Sequence, residues 1–181
     1  MLKNRICLFF LSMMFLFSCN KNDMGKEKLL VKVIYDLIAY DAIDVIDIQI
    51  VDSEGVEWML SEKVNSTKLI FYLPDLGCSS CYEQELSLVR KMIPDDVKEK
   101  VMVIGSFSNV RELKLFERES GFSTYKMNNV TENFPMYMYN ETSVVFLLTE
   151  QLKCHAFFDA VNNVDASKLY YSFIVERIRK Q

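Results

Sequence analysis

Hydrophobic positions fall along this chain in runs whose period changes several times, and each change marks an element. IDIQIVDSEGVEWML (46–60) alternates apolar and polar residues on both sides of Asp52-Ser-Glu-Gly55. That alternation predicts a β-hairpin with glycine at the turn position needing positive φ. KLIFYL (68–73) is a continuous apolar run of strand length, the signature of a strand covered on both faces. After Cys81 the period becomes helical through Leu86, Val89 and Met92-Ile93, and it stops at Pro94. The run from Pro94 to Lys100 reads as a solvated connection. VMVIGSF (101–107) predicts a second buried strand, and VRELKLFERES (110–120) an amphipathic helix ending before Gly121. SVVFLLT (143–149) and KCHAFFD (153–159) predict two strands joined by a tight turn at Glu150-Gln151. The closing ASKLYYSFIVERIRK places Leu169, Phe173, Ile174 and Ile178 on one helical face. LLVKVIYDLIAYD (29–41) is apolar on several faces and reads as a packed arm, strand or helix. The order β-β-β-α-β-α-β-β-α describes an α/β domain, a mixed sheet with helices on both sides.

The N-terminus follows a different logic. Lys3 and Arg5 precede an apolar run from Ile6 to Phe17, which ends at Ser18-Cys19. These are the charged, apolar and small-residue regions of a secretory signal. The run is shorter than the ~20 residues that a membrane-spanning helix requires. Leu16-Phe17-Ser18-Cys19 resembles a bacterial lipobox, which implies lipid on Cys19 as the first mature residue. Phe17 is bulkier than such sites usually carry. The expected organisation is a signal at 1–18, a lipidated tether and arm at 19–44, and a folded domain at 45–181.

Composition narrows the chemistry. The 181 residues are 50% hydrophobic and carry a net charge of −4, with 21 basic and 25 acidic side chains. That balance excludes a disordered chain and offers no electrostatic footprint for nucleic acid. A single histidine, His155, excludes metal sites built on two or three imidazoles. Of the 5 cysteines, Cys7 leaves with the signal and Cys19 takes lipid, so the folded domain keeps Cys78, Cys81 and Cys154. Cys154, mid-strand among apolar neighbours, reads as core. His155 reads as facing solvent or a backbone partner.

The most informative stretch is LIFYLPDLGCSSCYEQELSLVRKM, where a buried strand runs through a short turn into Cys78-Ser-Ser-Cys81 and then a helix. A thiol at a helix N-terminus meets unpaired backbone N–H groups and the positive end of the dipole. Both favour the thiolate and bring the pKa from ~8.5 towards ~3.5–7.5. Two-residue spacing lets the second thiol lie one turn inside the helix, within disulfide reach. Cys78 would then be the exposed attacking sulfur and Cys81 the resolving one. Two other readings stay open. The motif could be half of a zinc site, although its remaining ligands would have to be the adjacent Cys154 and His155, which on a strand point to opposite faces. It could also be a purely structural disulfide.

Strand, CxxC, helix, strand, helix, β-hairpin and final helix resembles the thioredoxin-like order. The likeness is strongest to exported thiol oxidoreductases of the TlpA type, and stronger still to thioredoxin-like lipoproteins of Gram-negative bacteria. Those proteins similarly carry a lipobox, a leading hairpin around a D-x-x-G turn (here Asp52 to Gly55) and a stretch like SFSNVRELKLF (106–116). The resemblance covers roughly residues 45–180. It implies a three-layer thioredoxin-like sandwich with a mixed central sheet and an added N-terminal hairpin. It also implies thiol–disulfide exchange through Cys78 and Cys81, with no metal or organic cofactor. The implied partners are envelope proteins with cysteines or disulfides, and a membrane redox protein, met on the periplasmic side.

The departures bear on activity. The family holds a cis-proline opposite the CxxC, just before the strand that opens the hairpin. Here Thr142-Ser143 occupy that docking loop and no proline follows Pro135. In the family that proline shapes substrate docking and keeps metal from the thiols, so the resemblance does not extend to those two properties. Tyr72 stands where the family often has a buried carboxylate, six residues before the first cysteine. Glu83 and Glu85 lie in the first helical turns, where a negative charge near Cys78 would oppose the thiolate. Gly77 replaces a common tryptophan. These departures support a rival in a different class, a non-catalytic lipoprotein that uses the fold's groove to bind a protein or peptide. Peroxide reduction through Cys78 is a third reading, weakened because the residues peroxiredoxins place before their thiol are absent.

Overall fold

The structure is a computed structural model that describes residues 43–73, 79–127, 143–159 and 164–180. Strand β4 (Lys68–Leu73) is its axis, because every residue after Lys68 is buried. A strand apolar on both faces needs neighbours along both edges and cover above and below. It pairs in parallel with β5 (Val101–Gly105) and antiparallel with β7 (Val144–Leu148). β5 pairs in parallel with β6 (Ser123–Met127), and β7 forms a hairpin with β8 (Lys153–Asp159). The remaining strands are β1 (Ile43–Asp44), β2 (Gln49–Val51) and β3 (Glu57–Met59). They complete a mixed sheet ordered β1-β8-β7-β4-β5-β6-β2-β3.

Parallel neighbours require crossovers, and the helices supply them. Helix α2 (Ser79–Met92) and the short α3 (Asp95–Lys98) link β4 to β5, and α4 (Val110–Ser120) links β5 to β6. Asn109 caps α4 by accepting from the Glu112 N–H at 3.0 Å, and Gly121 ends it in the left-handed region. The last helix, α5 (Val164–Arg179), packs against α2.

Strand alternation divides the buried residues between two faces. Ile70, Tyr72, Met102, Ile104, Val144 and Phe146 form one cluster with Ile50, and with Leu60 of the short helix α1 (Leu60–Lys63) and the nearby Val64. On the other face Tyr170 of α5 stacks on Phe158 at 4.5 Å and donates to the Ala156 carbonyl at 2.7 Å. The architecture is the expected α/β, thioredoxin-like sandwich with an added N-terminal hairpin.

The hairpin forms where the alternation predicts it. Gly55 takes φ +82°, its N–H reaches the Asp52 carbonyl at 3.0 Å, and the Asp52 N–H reaches Val56 at the same length. The Asp52 carboxylate accepts from Glu54 N–H (3.0 Å), Val56 N–H (2.9 Å) and Trp58 Nε1 (2.8 Å). Burial works against that charge, but the Trp58, Val56 and Glu54 bonds outweigh it and hold the Asp52 pKa below its ordinary value.

Several elements differ from the sequence expectation. Strand β6 was not anticipated, and β1 extends the sheet into the expected arm, where Ile43 pairs with Cys154. The connection 94–100 contains α3, whose Val97 is buried. The buried stripe of α5 runs through Ser167, Tyr170, Tyr171, Ile174 and Ile178, while Phe173 is 46% exposed. The apolar count favoured Phe173, but the two tyrosines win the core because their hydroxyls find acceptors there.

Candidate active site

The candidate site lies at the carboxyl end of the central strand. β4 ends there at Leu73, and the first turn of α2 starts six residues later at Ser79. Cys81 is the third residue of that helix; Cys78 and Thr142, like the proposed lipid-bearing Cys19, lie outside the described residues. Ser143, partly buried, immediately precedes β7, whose first residue Val144 pairs with both Tyr72 and Asp159. The chain therefore re-enters the sheet beside the carboxyl end of β4, the edge at which α/β sheets place ligands. Ser143 and the start of α2 share that edge.

The β4–β5 contact at this edge is unusually close. A Cβ on Gly105 would lie 3.0 Å from both the Cβ and the carbonyl oxygen of Leu73, and 3.2 Å from the Phe107 ring. Only glycine lets the ends of β4 and β5 approach this far. Ser106 N–H then donates to the Leu73 carbonyl at 3.1 Å. The Ser106 hydroxyl oxygen is buried and has no hydrogen-bond partner among the described residues. Phe107 meets Phe116 of α4 edge-on at 5.2 Å, and Phe116 meets Tyr82 of α2 at 5.8 Å. An aromatic wall thus ties the first turns of α2 to α4.

Tyr72, at the position where a carboxylate would be anticipated, is buried in the cluster shared with Ile70 and Ile104. Burial raises its phenol pKa, so it is neutral and holds no negative charge. The buried carboxylate of this domain lies elsewhere. Glu85, in the second turn of α2, is only 6% exposed and is the sole acidic or basic residue in the core among the described residues. It accepts from the Tyr171 hydroxyl at 2.6 Å and from the Ser167 hydroxyl at 3.1 Å, both on α5. Burial raises its pKa, and the two hydrogen bonds only partly offset that. Sequence reasoning placed Glu85 with Glu83 as a charge opposing Cys78, whereas its carboxylate is turned into the α2–α5 seam. Glu83 remains exposed. One signal was available: Glu85 precedes Val89 by one turn and Ile93 by two, on the apolar stripe itself.

Cys154 is completely buried, and burial pushes its thiol far above the usual range, as a core residue should show. His155 is half-buried, with its pKa lowered by burial and then by Arg177 and Lys153.

Sheet order, crossover helices and a helix starting at the carboxyl end of the central strand define a thioredoxin-fold domain. Solved structures support that class. The thioredoxin domain of a thiol-disulfide oxidoreductase from Bacteroides vulgatus matches with a TM-score of 0.56 and 14% identity, covering 77% of this chain and 99% of that one. The peroxidoxin BcpB of Mycobacterium tuberculosis matches at 0.53 and 14%, covering 76% and 97%. Arabidopsis thaliana ScoI, solved with copper bound, matches at 0.56 and 13%, covering 77% and 100%. No protein-family model matches the chain. No curated protein matches it either. Three differently named proteins on one fold leave the chemistry to the residues.

Proposed function

We propose that this chain is a lipid-anchored thiol–disulfide oxidoreductase of the cell envelope, with Cys78 as attacking and Cys81 as resolving sulfur. The observation that carries the reading is the start of α2 at the carboxyl end of β4, within the Cys78-Ser-Ser-Cys81 segment. A cysteine immediately before such a helix receives the unpaired N–H groups and the dipole's positive end. In the reducing direction the Cys78 thiolate attacks a substrate disulfide and one substrate thiolate leaves. Cys81 then attacks Cys78 in the mixed disulfide, the second substrate thiol departs, and the pair is left oxidised. Such exchange needs neither metal nor organic cofactor. Envelope proteins with cysteines or disulfides are the proposed substrates, with a membrane redox protein restoring the pair.

The rival reading, a non-catalytic binding module, draws on Ser143 in place of proline and on the neutral Tyr72. Alkylation of the reduced protein separates the two. Cys78 should react at neutral pH at least about tenfold faster than Cys81, as expected for a thiolate stabilised at a helix end, and Cys154 should stay unlabelled until unfolding. Equal, slow labelling of Cys78 and Cys81 would favour the binding module.

A further inference from the structure

Two motifs that thiol exchange leaves without a task meet in space. The turn from Asp52 to Gly55 closes on the helix of the stretch 106–116. A Cβ on Gly55 would lie 3.8 Å from the Val110 side chain, and Lys114 Nζ pairs with the Glu54 carboxylate at 2.8 Å. Turn and helix enclose a groove of about 380 Å³, with Ser53 and Glu54 on one wall and Arg111, Lys114, Leu115 and Arg118 on the other. Positions 111, 115 and 118 have the spacing that stacks side chains along one face of a helix. That face reads cation, leucine, cation. Leu115 is 42% exposed, and Val110 and Val56 are exposed as well. Among the described residues Arg111 and Arg118 enter no ion pair, whereas Lys114 is answered by Glu54. The nearby Glu112 and Glu117 are turned to backbone N–H groups, those of Ser108 at 2.8 Å and Thr124 at 3.2 Å.

A guanidinium is a planar fork that matches a carboxylate through two parallel hydrogen bonds. Seven residues of helix rise about 10 Å. Four residues of extended chain span about 13 Å and return the side chain to the same face, a difference that two long arginine side chains absorb. We propose that the groove between the hairpin turn and α4 docks an acidic, extended segment of a partner protein. Carboxylates at positions i and i+4 of that segment pair with Arg111 and Arg118, and an apolar side chain at i+2 packs on Leu115. An anionic bilayer fits the groove less well. Recognition of lipid by charge takes a cluster of about four or more cations, and here Glu54 already neutralises Lys114 in a chain of net charge −4. Two forks at a fixed spacing instead read individual carboxylates at short range. Helix α4 starts after the carboxyl end of β5, at the sheet edge where α2 starts after β4. A segment lying along α4 therefore has one end at that edge. The groove needs neither cysteine of the proposed pair.

The test is fluorescence anisotropy of a fluorescein-labelled peptide containing Glu-Ala-Leu-Ala-Glu, titrated with the full-length protein at low salt. Binding should saturate, and should be lost when both glutamates of the peptide become glutamine. Arg111→Gln together with Arg118→Gln should weaken it at least about tenfold, the scale of a lost charge-assisted hydrogen bond. Leu115→Ser should weaken it as well. Glu54→Gln takes a negative charge out of the groove and frees Lys114, so it should tighten binding about threefold, the scale of an exposed ion pair. A misfolded variant cannot give that gain. Absence of saturable binding, or an affinity indifferent to the two arginines, would overturn the proposal. So would preference for phosphatidylglycerol over phosphatidylcholine vesicles that depends on the same arginines while the peptide stays unbound, since the face would then belong to lipid.

Discussion

Glu85 ties stability to pH through its burial. Its folded-state pKa is raised, chiefly by burial, so between the ordinary carboxylate value and the folded value the native protein holds a proton that the unfolded chain has released. Stability contributed by the neutral form is present at low pH and is lost as pH rises through the folded pKa. Glutamine imitates that neutral form and can still accept from Tyr171 and Ser167. Glu85→Gln should therefore melt higher than the wild-type protein at pH 8, by about 2–4 °C for each kcal/mol in a chain of this size. The gap should close as pH falls towards 4, as paired melting curves at the two pH values will show. A gap that widens in acid would mean the carboxylate is stabilised by its surroundings.

Elements were legible in the sequence to the extent that their information was local. The helix 110–120 carries its own cap in Asn109 and its own stop in Gly121, and the hairpin carries its own turn. Strand β6 (STYKM) was not legible, because Thr124 is wholly buried only with its hydroxyl bonded to the Phe122 carbonyl at 2.8 Å. The buried face of α5 was misassigned by position for the same reason: Tyr171 becomes core through an acceptor 86 residues away. Of the candidate site, the strand–motif–helix order could be read directly, whereas the buried carboxylate needed the packing of α2 on α5. One element-scale expectation concerns the entrance to β7. Val144 is the first residue there with strand partners, and Ser143 stands just before it. Proline at 143 deletes an N–H ahead of the paired segment, where strands tolerate it. Ser143→Pro should change stability by no more than about 1–2 kcal/mol, and insulin-type disulfide reduction should rise. A variant that melts early and gains no turnover would remove Ser143 from the docking loop.

At the scale of the whole molecule, the proposed reading sets the domain on a membrane through a lipid. Among the described residues no helix is long and apolar enough to cross a bilayer, so under the proposed reading attachment rests on Cys19. Cys19→Ala should move the protein from the membrane to the soluble envelope fraction while its melting midpoint and Cys78 labelling stay unchanged. Retention in the membrane fraction after signal cleavage would refute the lipid anchor.

The two outermost strands of the sheet are short, β1 with two residues and β3 with three. Each carries an exposed carboxylate, Asp44 on one and Glu57 on the other. A free edge is a template on which another chain can add a strand, and brevity and charge are what deny it a foothold. Molecules tethered side by side on a surface meet one another far more often than molecules free in solution. Under the proposed lipid anchoring, the two short, charged margins of the sheet would keep such neighbours from zipping into a continuous ribbon.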